Sequence, residues 1–164
     1  MIVLTPAELR GLDARALDEM LARSECVVAI GEGELRGIAA AALLFADYAV
    51  LLRGATLIID EPEVWAGAVW RVGRRAIALE ETFTADAARN AGLADDVVDD
   101  AEIWREQWTR NRRTLALDSA AALIRSRGGD ALERAEFARL FAIGEPQRGL
   151  RAFLEKRAPD FHRE

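Results

Sequence analysis

Cys26-Val27-Val28-Ala29-Ile30-Gly31-Glu32-Gly33-Glu34-Leu35-Arg36-Gly37, continued by Ile38-Ala39-Ala40-Ala41-Ala42-Leu43-Leu44-Phe45-Ala46 and closed by Asp47, sets the architecture of this chain. Residues 26–30 are a short apolar run, which predicts a buried strand. Gly31-Glu32-Gly33 is a turn signal. Residues 38–46 carry no polar side chain. They predict a short buried helix beginning just after Gly37.

Outward from this unit the pattern stays mixed. Two apolar runs, Ala49 to Leu52 and Ala55 to Ile59, predict strands. Arg53-Gly54 between them predicts a tight, hairpin-like link. Residues 74–81 look helical. Thr84 suits the N-cap of a helix running to Ala91, with Gly92 at its end. Leu93 to Val98 predicts a last strand. From Ala101 onward the pattern is almost wholly helical, broken at Gly128-Gly129, and Glu145-Pro146 opens the last helix. Upstream, Thr5, Pro6 and Glu8 form a capping-box signature that predicts a helix over 6–22. The expected fold class is α/β. One domain spans 1–164, with a mixed core over 1–100 and a helical region over 101–164.

Composition bounds the function. The chain has 164 residues, 51% of them hydrophobic and 30% charged. A chain of that length buries roughly 70% of its unfolded surface, so it needs no covalent staple. The net charge of −6 argues against binding the phosphate backbone of nucleic acid. No 18-residue apolar span is present, so no membrane crossing is expected. The lone Cys26 cannot form an internal disulfide, and a cytoplasmic setting is the expectation. Its place in an apolar run favours an inert core thiol over a nucleophile. The only histidine, His162, lies near the C-terminus, which disfavours a Ser-His-Asp triad or a histidine zinc site. No metal is expected.

Three segments in fixed order then carry a resemblance. The first is the strand–glycine turn–apolar helix–Asp47 unit quoted above, with Pro62-Glu63 following it. The second is Thr84-Ala85-x-Ala87-Ala88-x-x-Ala91-Gly92-Leu93. The third is the tail, Arg151-Ala152-Phe153-Leu154-Glu155-Lys156-Arg157-Ala158-Pro159-Asp160-Phe161, which holds the only lysine of the chain. Together they resemble the crotonase family, the enoyl-CoA hydratases and isomerases, over about residues 25–161 with several deletions. The resemblance implies a reduced spiral of ββα units followed by helices, a coenzyme A thioester as substrate or ligand with no other cofactor, and a homo-oligomer, trimer or hexamer. Arg10 to Leu17 admits two readings, part of the capped helix or a worn form of a family loop.

The family stabilises a thioester oxyanion with two backbone N–H groups, one at the N-terminus of the short helix. By resemblance Ile38 supplies that donor. On the worn-loop reading Ala16 supplies the second. The family's bulkless glycine at the Ile38 position is absent, and an isoleucine there threatens to block the pocket. Of the two family glutamates, the first falls on Ala41, which cannot transfer a proton, and the second on Glu63. A two-carboxylate hydratase mechanism therefore lacks one acid. A one-base mechanism through Glu63 competes with Glu63 as a solvated loop acid. Glu32 and Glu34 suit solvated turn positions. The family's long pocket loop is reduced to Val64-Trp65-Ala66-Gly67-Ala68-Val69-Trp70, and Trp65 and Trp70 are better suited to a core than to a ligand platform. By resemblance Phe153 and Lys156 contact the adenine and phosphates of coenzyme A. Arg110, Arg112 and Arg113 suit a solvated helix face. Trp104 and Trp108, four apart, share a face fitting either a subunit contact or the core.

Two functions follow. One is an acyl-CoA enzyme with Glu63 as acid/base. The other is an inactive crotonase-fold protein that serves as a structural or partner subunit.

Overall fold

The computed structural model describes residues 1–22, 25–112, 115–126 and 130–159. They fall into two compact units. One contains Ile2 to Trp104 apart from the Cys26 segment; the other contains Met1, Cys26 and the chain from Arg105 on.

The first unit is built from strands β1 (Ile2–Leu4), β2 (Val27–Gly31), β3 (Glu34–Leu35), β4 (Tyr48–Leu52), β5 (Thr56–Ile58), β6 (Thr82–Thr84) and β7 (Asp96–Val98). β1-β2-β4-β7 form one wholly parallel sheet. β3-β5-β6 form a second, with β3 parallel and β6 antiparallel to β5. From β2 the chain alternates between the sheets through β5, and β6 then joins the second sheet before β7 returns to the first. Arg53-Gly54 is the step from the first sheet to the second, because β4 and β5 pair with different partners. The predicted hairpin is therefore absent. A two-residue turn signal fixes a change of direction without fixing which strand is the neighbour.

Helix α1 (Pro6–Arg10) and helix α2 (Ala14–Leu21) replace the single predicted helix over 6–22. Thr5 and Glu8 close the expected capping box on α1. Gly11 ends α1, and Asp13 starts α2 by accepting from Ala16 N–H at 2.8 Å. A strong internal N-cap outweighs continuity of the apolar stripe. Helix α3 (Gly37–Phe45) follows β3 directly. Gly37 there adopts φ +54°, a left-handed angle that a side chain would oppose. Helix α4 (Pro62–Val72) occupies the stretch expected as a shortened loop. A 3-10 helix, Gly73–Ala78, follows, and then helix α5 (Ala85–Ala91), capped by Thr84 and ended by left-handed Gly92 as predicted.

Two aspartates tie the parallel sheet together. Asp47 donates its N–H to Val27 O at 2.8 Å and accepts Val27 N–H on Oδ2 at 2.7 Å. Asp95 repeats this with Ala49, at 2.8 and 2.7 Å. Each ends one turn of the spiral by pinning the strand being entered to its neighbour. The core is aliphatic: Val27, Ala29, Leu43, Leu44, Leu51, Leu57 and Leu93 are wholly buried.

The second unit is helical. Helix α6 (Ala101–Arg112) begins in the first unit and ends in this one. Helices α7 (Leu115–Ser126), α8 (Asp130–Ala142) and α9 (Glu145–Leu154) follow. Buried Ser119 accepts from the Arg139 guanidinium at 2.5 Å, tying α7 to α8. Asp118 accepts Cys26 N–H at 2.9 Å and pairs with the Met1 ammonium at 3.0 Å. Gly128-Gly129, Arg113, His162 and the side chains of Arg110 and Arg112 lie outside the described residues.

Candidate functional site

α3 and α4 run side by side in the same direction. Near their N-termini Gly37 faces Glu61. Farther along, Gly67 meets Leu44 and Ala41, and Phe45 packs on Trp70 with ring centroids 6.5 Å apart. Gly67 is what allows the approach, because a Cβ there would stand 2.7 Å from Leu44 Cβ. Both helix N-termini therefore lie together. Amides of a helix's first turn have no acceptor within the helix, and they form its positive dipole end. Arg36, the N-cap of α3, makes no side-chain cap, and neither does Glu61, the N-cap of α4.

The α3 terminus carries Ile38 as the second residue of the helix. Its side chain is half-buried and packs against the hydrophobic core. The isoleucine thus turns inward, and its bulk is absorbed by packing. Glu63 is an exposed residue of the first turn of α4. Ala41 is wholly buried, one helical turn below the α3 terminus and against α4. Trp65 and Trp70 are half-buried, and Trp65 packs on the core, as their residue type suggested. Cys26 is buried.

Ala16 does not join this group as a free donor. Its N–H is committed to Asp13 Oδ1, within an ordinary helix start. Residues 10–17 are thus neither part of one helix over 6–22 nor a free-donor loop: Gly11 to Asp13 separate α1 from α2, and Ile2–Leu4 ahead of them is strand β1. Glu32 and Glu34 are exposed and pair with Arg10 at 3.6 Å and Arg36 at 3.2 Å; Glu32 lies in the turn as expected, whereas Glu34 opens β3. Glu61 is the residue that sequence reasoning missed. A Cβ built on Gly37 would lie 3.3 Å from Glu61 Oε1 and 3.5 Å from Oε2, so this carboxylate rests on the first residue of α3. The Pro62 that follows it was the available signal, since proline favours the first position of a helix.

Phe153 and Lys156 belong to the helical unit, at the end of α9. Phe153 is 76% exposed. Lys156 is held at φ +51°, in the left-handed region, where Arg157 N–H reaches back to Ala152 O at 3.0 Å. This is a glycine-type helix ending made by a lysine. Trp104 and Trp108 are both used internally. Trp104 stacks on Tyr48 at 6.1 Å and donates to Asp96 Oδ2 at 3.1 Å. Trp108 is buried and donates to Met1 Sδ at 3.3 Å. Among the described residues no cluster of histidine, cysteine and carboxylates could hold a metal ion, and no helix is long and apolar enough to cross a membrane.

No protein-family model matches the chain, and no curated protein matches it. Solved structures do. An enoyl-CoA hydratase/isomerase from Marinobacter aquaeolei superposes with a TM-score of 0.67 at 21% identity, over 94% of this chain and 74% of the other. An enoyl-CoA hydratase/isomerase from Cupriavidus metallidurans CH34 gives 0.68 at 25%, over 92% and 66%. An enoyl-CoA hydratase/carnithine racemase from Magnetospirillum magneticum gives 0.69 at 24%, over 92% and 64%. The chain thus spans about two thirds to three quarters of the length of these proteins. The fold it shares with them is that of the enoyl-CoA hydratase/isomerase, or crotonase, family.

Proposed function

We propose that this chain, with its crotonase fold, is a short member of the enoyl-CoA hydratase/isomerase group that binds an acyl-CoA thioester. The observation that carries this reading is the pairing of two helix N-termini, α3 and α4, with Glu63 on the first turn of the second. The α3 terminus offers backbone donors and a positive dipole end to a thioester oxygen, with Ile38 N–H as the donor named by position. Proton abstraction beside a thioester builds negative charge on that oxygen, so donors fixed there lower the barrier. Glu63 is the one acid at a matching family position, and it would move a proton between carbons of the acyl chain. A single base suits double-bond isomerisation better than hydration, which employs a second carboxylate to hold the water. The tail pair Phe153 and Lys156 would meet the adenine and phosphates of coenzyme A. A family-type homo-oligomer, trimeric or hexameric, and a cytoplasmic setting complete this reading.

A second reading has its own support. Ala41, where the first family glutamate would fall, is wholly buried in α3, with its carbonyl against Gly67 of α4. A chain that has lost this acid could keep the fold as a non-catalytic binding or partner subunit.

Titration calorimetry with coenzyme A and crotonyl-CoA, wild type beside Lys156→Ala, tests the proposal. Micromolar binding that weakens in the variant supports a working site, and assays of isomerisation and hydration then separate the two readings. No binding at millimolar ligand would remove the acyl-CoA reading.

A further inference from the structure

Helix α9 carries its apolar side outward. Leu150, Phe153 and Leu154, at spacings of three and four, share one side of the helix and are 60%, 76% and 71% exposed. Ala152 is the residue that α9 buries. A surface helix ordinarily turns its apolar stripe to the core. On the neighbouring helix α8, the rings of Phe137 and Phe141 lie 4.6 Å apart and are exposed as well. Among the described residues of the helical unit, Trp108 is the one large side chain that is buried. Taking about 150–250 Å² for each aromatic ring and somewhat less for each leucine, the five side chains leave roughly 600 Å² of apolar surface in water. One side of a standard subunit contact covers about 800 Å², of which somewhat over half is apolar, so the exposed area suffices for one. Charge is uneven around it. Residues 147–157 hold Arg148, Arg151, Lys156 and Arg157 against Glu155, a net +3, whereas the whole chain is at −6 and its remainder therefore at −9.

We propose that the outward face of α9, with the phenylalanine pair of α8 beside it, is where a second copy of this chain docks. A second copy meets both needs of the face. It brings apolar area of the same kind, and it brings a net acidic remainder to the cations that flank Leu150, Phe153 and Leu154. Aromatic side chains are also the residues that concentrate at the centres of such contacts. The sequence offered Trp104 and Trp108 as a subunit face, but the structure uses both internally, on Tyr48 and Asp96 and on Met1. The apolar surface open to a partner lies on α8 and α9 instead. This gives the homo-oligomer of the proposed function its surface, and it holds whether or not the chain binds an acyl-CoA.

Sedimentation velocity of the full chain without ligand, over a range of micromolar concentrations, tests this. Wild type is compared with Leu150→Gln/Leu154→Gln, with each single variant, and with the control Ile77→Gln. Ile77 is 95% exposed but lies on the 3-10 helix, away from the proposed face. Phe153, already offered to coenzyme A, is left unchanged so that the two readings are tested apart. Glutamine keeps the helix and adds no charge. Both leucines are exposed, so circular dichroism should show the helix content of wild type in every variant. Wild type is expected to sediment as a multiple of 18.0 kDa. Losing side chains from the centre of a contact typically weakens it by about 30-fold or more, so the double variant should shift toward the single chain by that factor. The single variants should fall between, and Ile77→Gln should match wild type. Added salt should weaken the wild-type association, because opposite charges contribute to it. A wild type that stays at 18.0 kDa throughout overturns the proposal. So does a double variant that associates as wild type does, or a control that dissociates equally. A single-chain wild type that instead floats with vesicles of anionic lipid would assign the face to a membrane surface, which also overturns it. Coenzyme A titration decides the acyl-CoA reading alone, and its failure would leave this contact standing.

Discussion

Gly67 of α4 lies so close to Leu44 of α3 that a Cβ on residue 67 would stand 2.7 Å from Leu44 Cβ. The neighbour is the root of a buried side chain and cannot rotate away. Gly67→Ala gains about 1 kcal/mol of helix propensity, but overpacking a core costs typically about 1–3 kcal/mol. The second effect wins, and a net loss of up to about 2 kcal/mol is expected. Urea midpoints for Gly67→Ala, Leu44→Ala and the pair test this. The double variant should lose less than the sum, because trimming Leu44 removes the clash. A stabilised Gly67→Ala would mean that the helices are not in contact there.

The same residue shows where sequence reading stops. Glycine inside a segment weakens a helix prediction, and the crotonase resemblance favoured a loop, so α4 went unseen between Pro62 and Val72. Only its partner across the interface explains why glycine is tolerated. By contrast, the strand before Gly31, the helix after Gly37, and the Thr84 and Gly92 caps were legible, because each depends on local chemistry. The Arg53-Gly54 link failed as a hairpin because sheet partnership is a long-range fact. Ile38 and Glu63 were named as candidates only through the resemblance. Glu61 escaped because its significance lies in facing Gly37 across 24 positions of sequence.

Arg71 fastens the other end of the same helix pair. Its side chain is 8% exposed, donates to Ala46 O at 2.9 Å and to Leu44 O, and pairs with Asp95. It thus closes the C-terminus of α3 from the last turn of α4. Arg71→Met keeps the stem and removes these bonds, leaving a partly buried carboxylate and two carbonyls short of partners. A loss of about 3 kcal/mol is expected. Asp95→Asn, which keeps a side-chain oxygen for Ala49 N–H, should cost clearly less. Equal losses in denaturant unfolding would contradict this ordering.

Restoring the missing family acid should fail. Ala41→Glu places a carboxylate at a wholly buried position against α4, and burying a charge without a partner costs roughly 3 kcal/mol or more. The variant is expected to unfold well below the wild-type temperature and to gain no hydration of crotonyl-CoA. Glu63→Gln, at an exposed position, should leave the melting temperature within about 1–2 °C and, if the chain isomerises, cut turnover by about 10²–10⁴-fold. A stable, hydrating Ala41→Glu protein would show that residue 41 can reach the substrate.

Arg53 and Asp99 form the clearest titration signal. The Arg53 guanidinium donates to Asp99 Oδ1 at 2.6 Å, and this hydrogen bond, followed by the charge itself, holds the Asp99 carboxyl below the usual aspartate value. The group is depressed in the folded state. Its stabilising contribution is therefore present above the ordinary aspartate range and is lost as pH falls through the lower, folded value. Both residues are exposed, so salt should screen the charge part. Carboxyl-detected NMR titration at low salt should give Asp99 a midpoint below the ordinary range, rising toward it in about 1 M salt, where the screening length is about 3 Å. A low-salt midpoint at the ordinary value would disprove the pairing in solution.

Lys156 holds a conformation that glycine would adopt more easily. At φ +51° a side chain costs about 1 kcal/mol, so Lys156→Gly should stabilise the chain by about that amount through relief at the end of α9. A strained residue retained where a cheaper one would fold better suggests use. In the acyl-CoA reading, that use is a phosphate contact made by the only lysine of the chain. Losing a hydrogen bond to a charged group typically costs about 1.5–3 kcal/mol, or roughly tenfold or more in affinity. Lys156→Gly is thus expected to raise the melting temperature and to lower coenzyme A affinity together. Lys156→Arg, which keeps both the charge and the strain, should preserve most of the affinity without the thermal gain. A Lys156→Gly protein that melts higher and binds coenzyme A as well as wild type would leave the lysine with no part in binding, and the phosphate contact would have to be sought among the arginines.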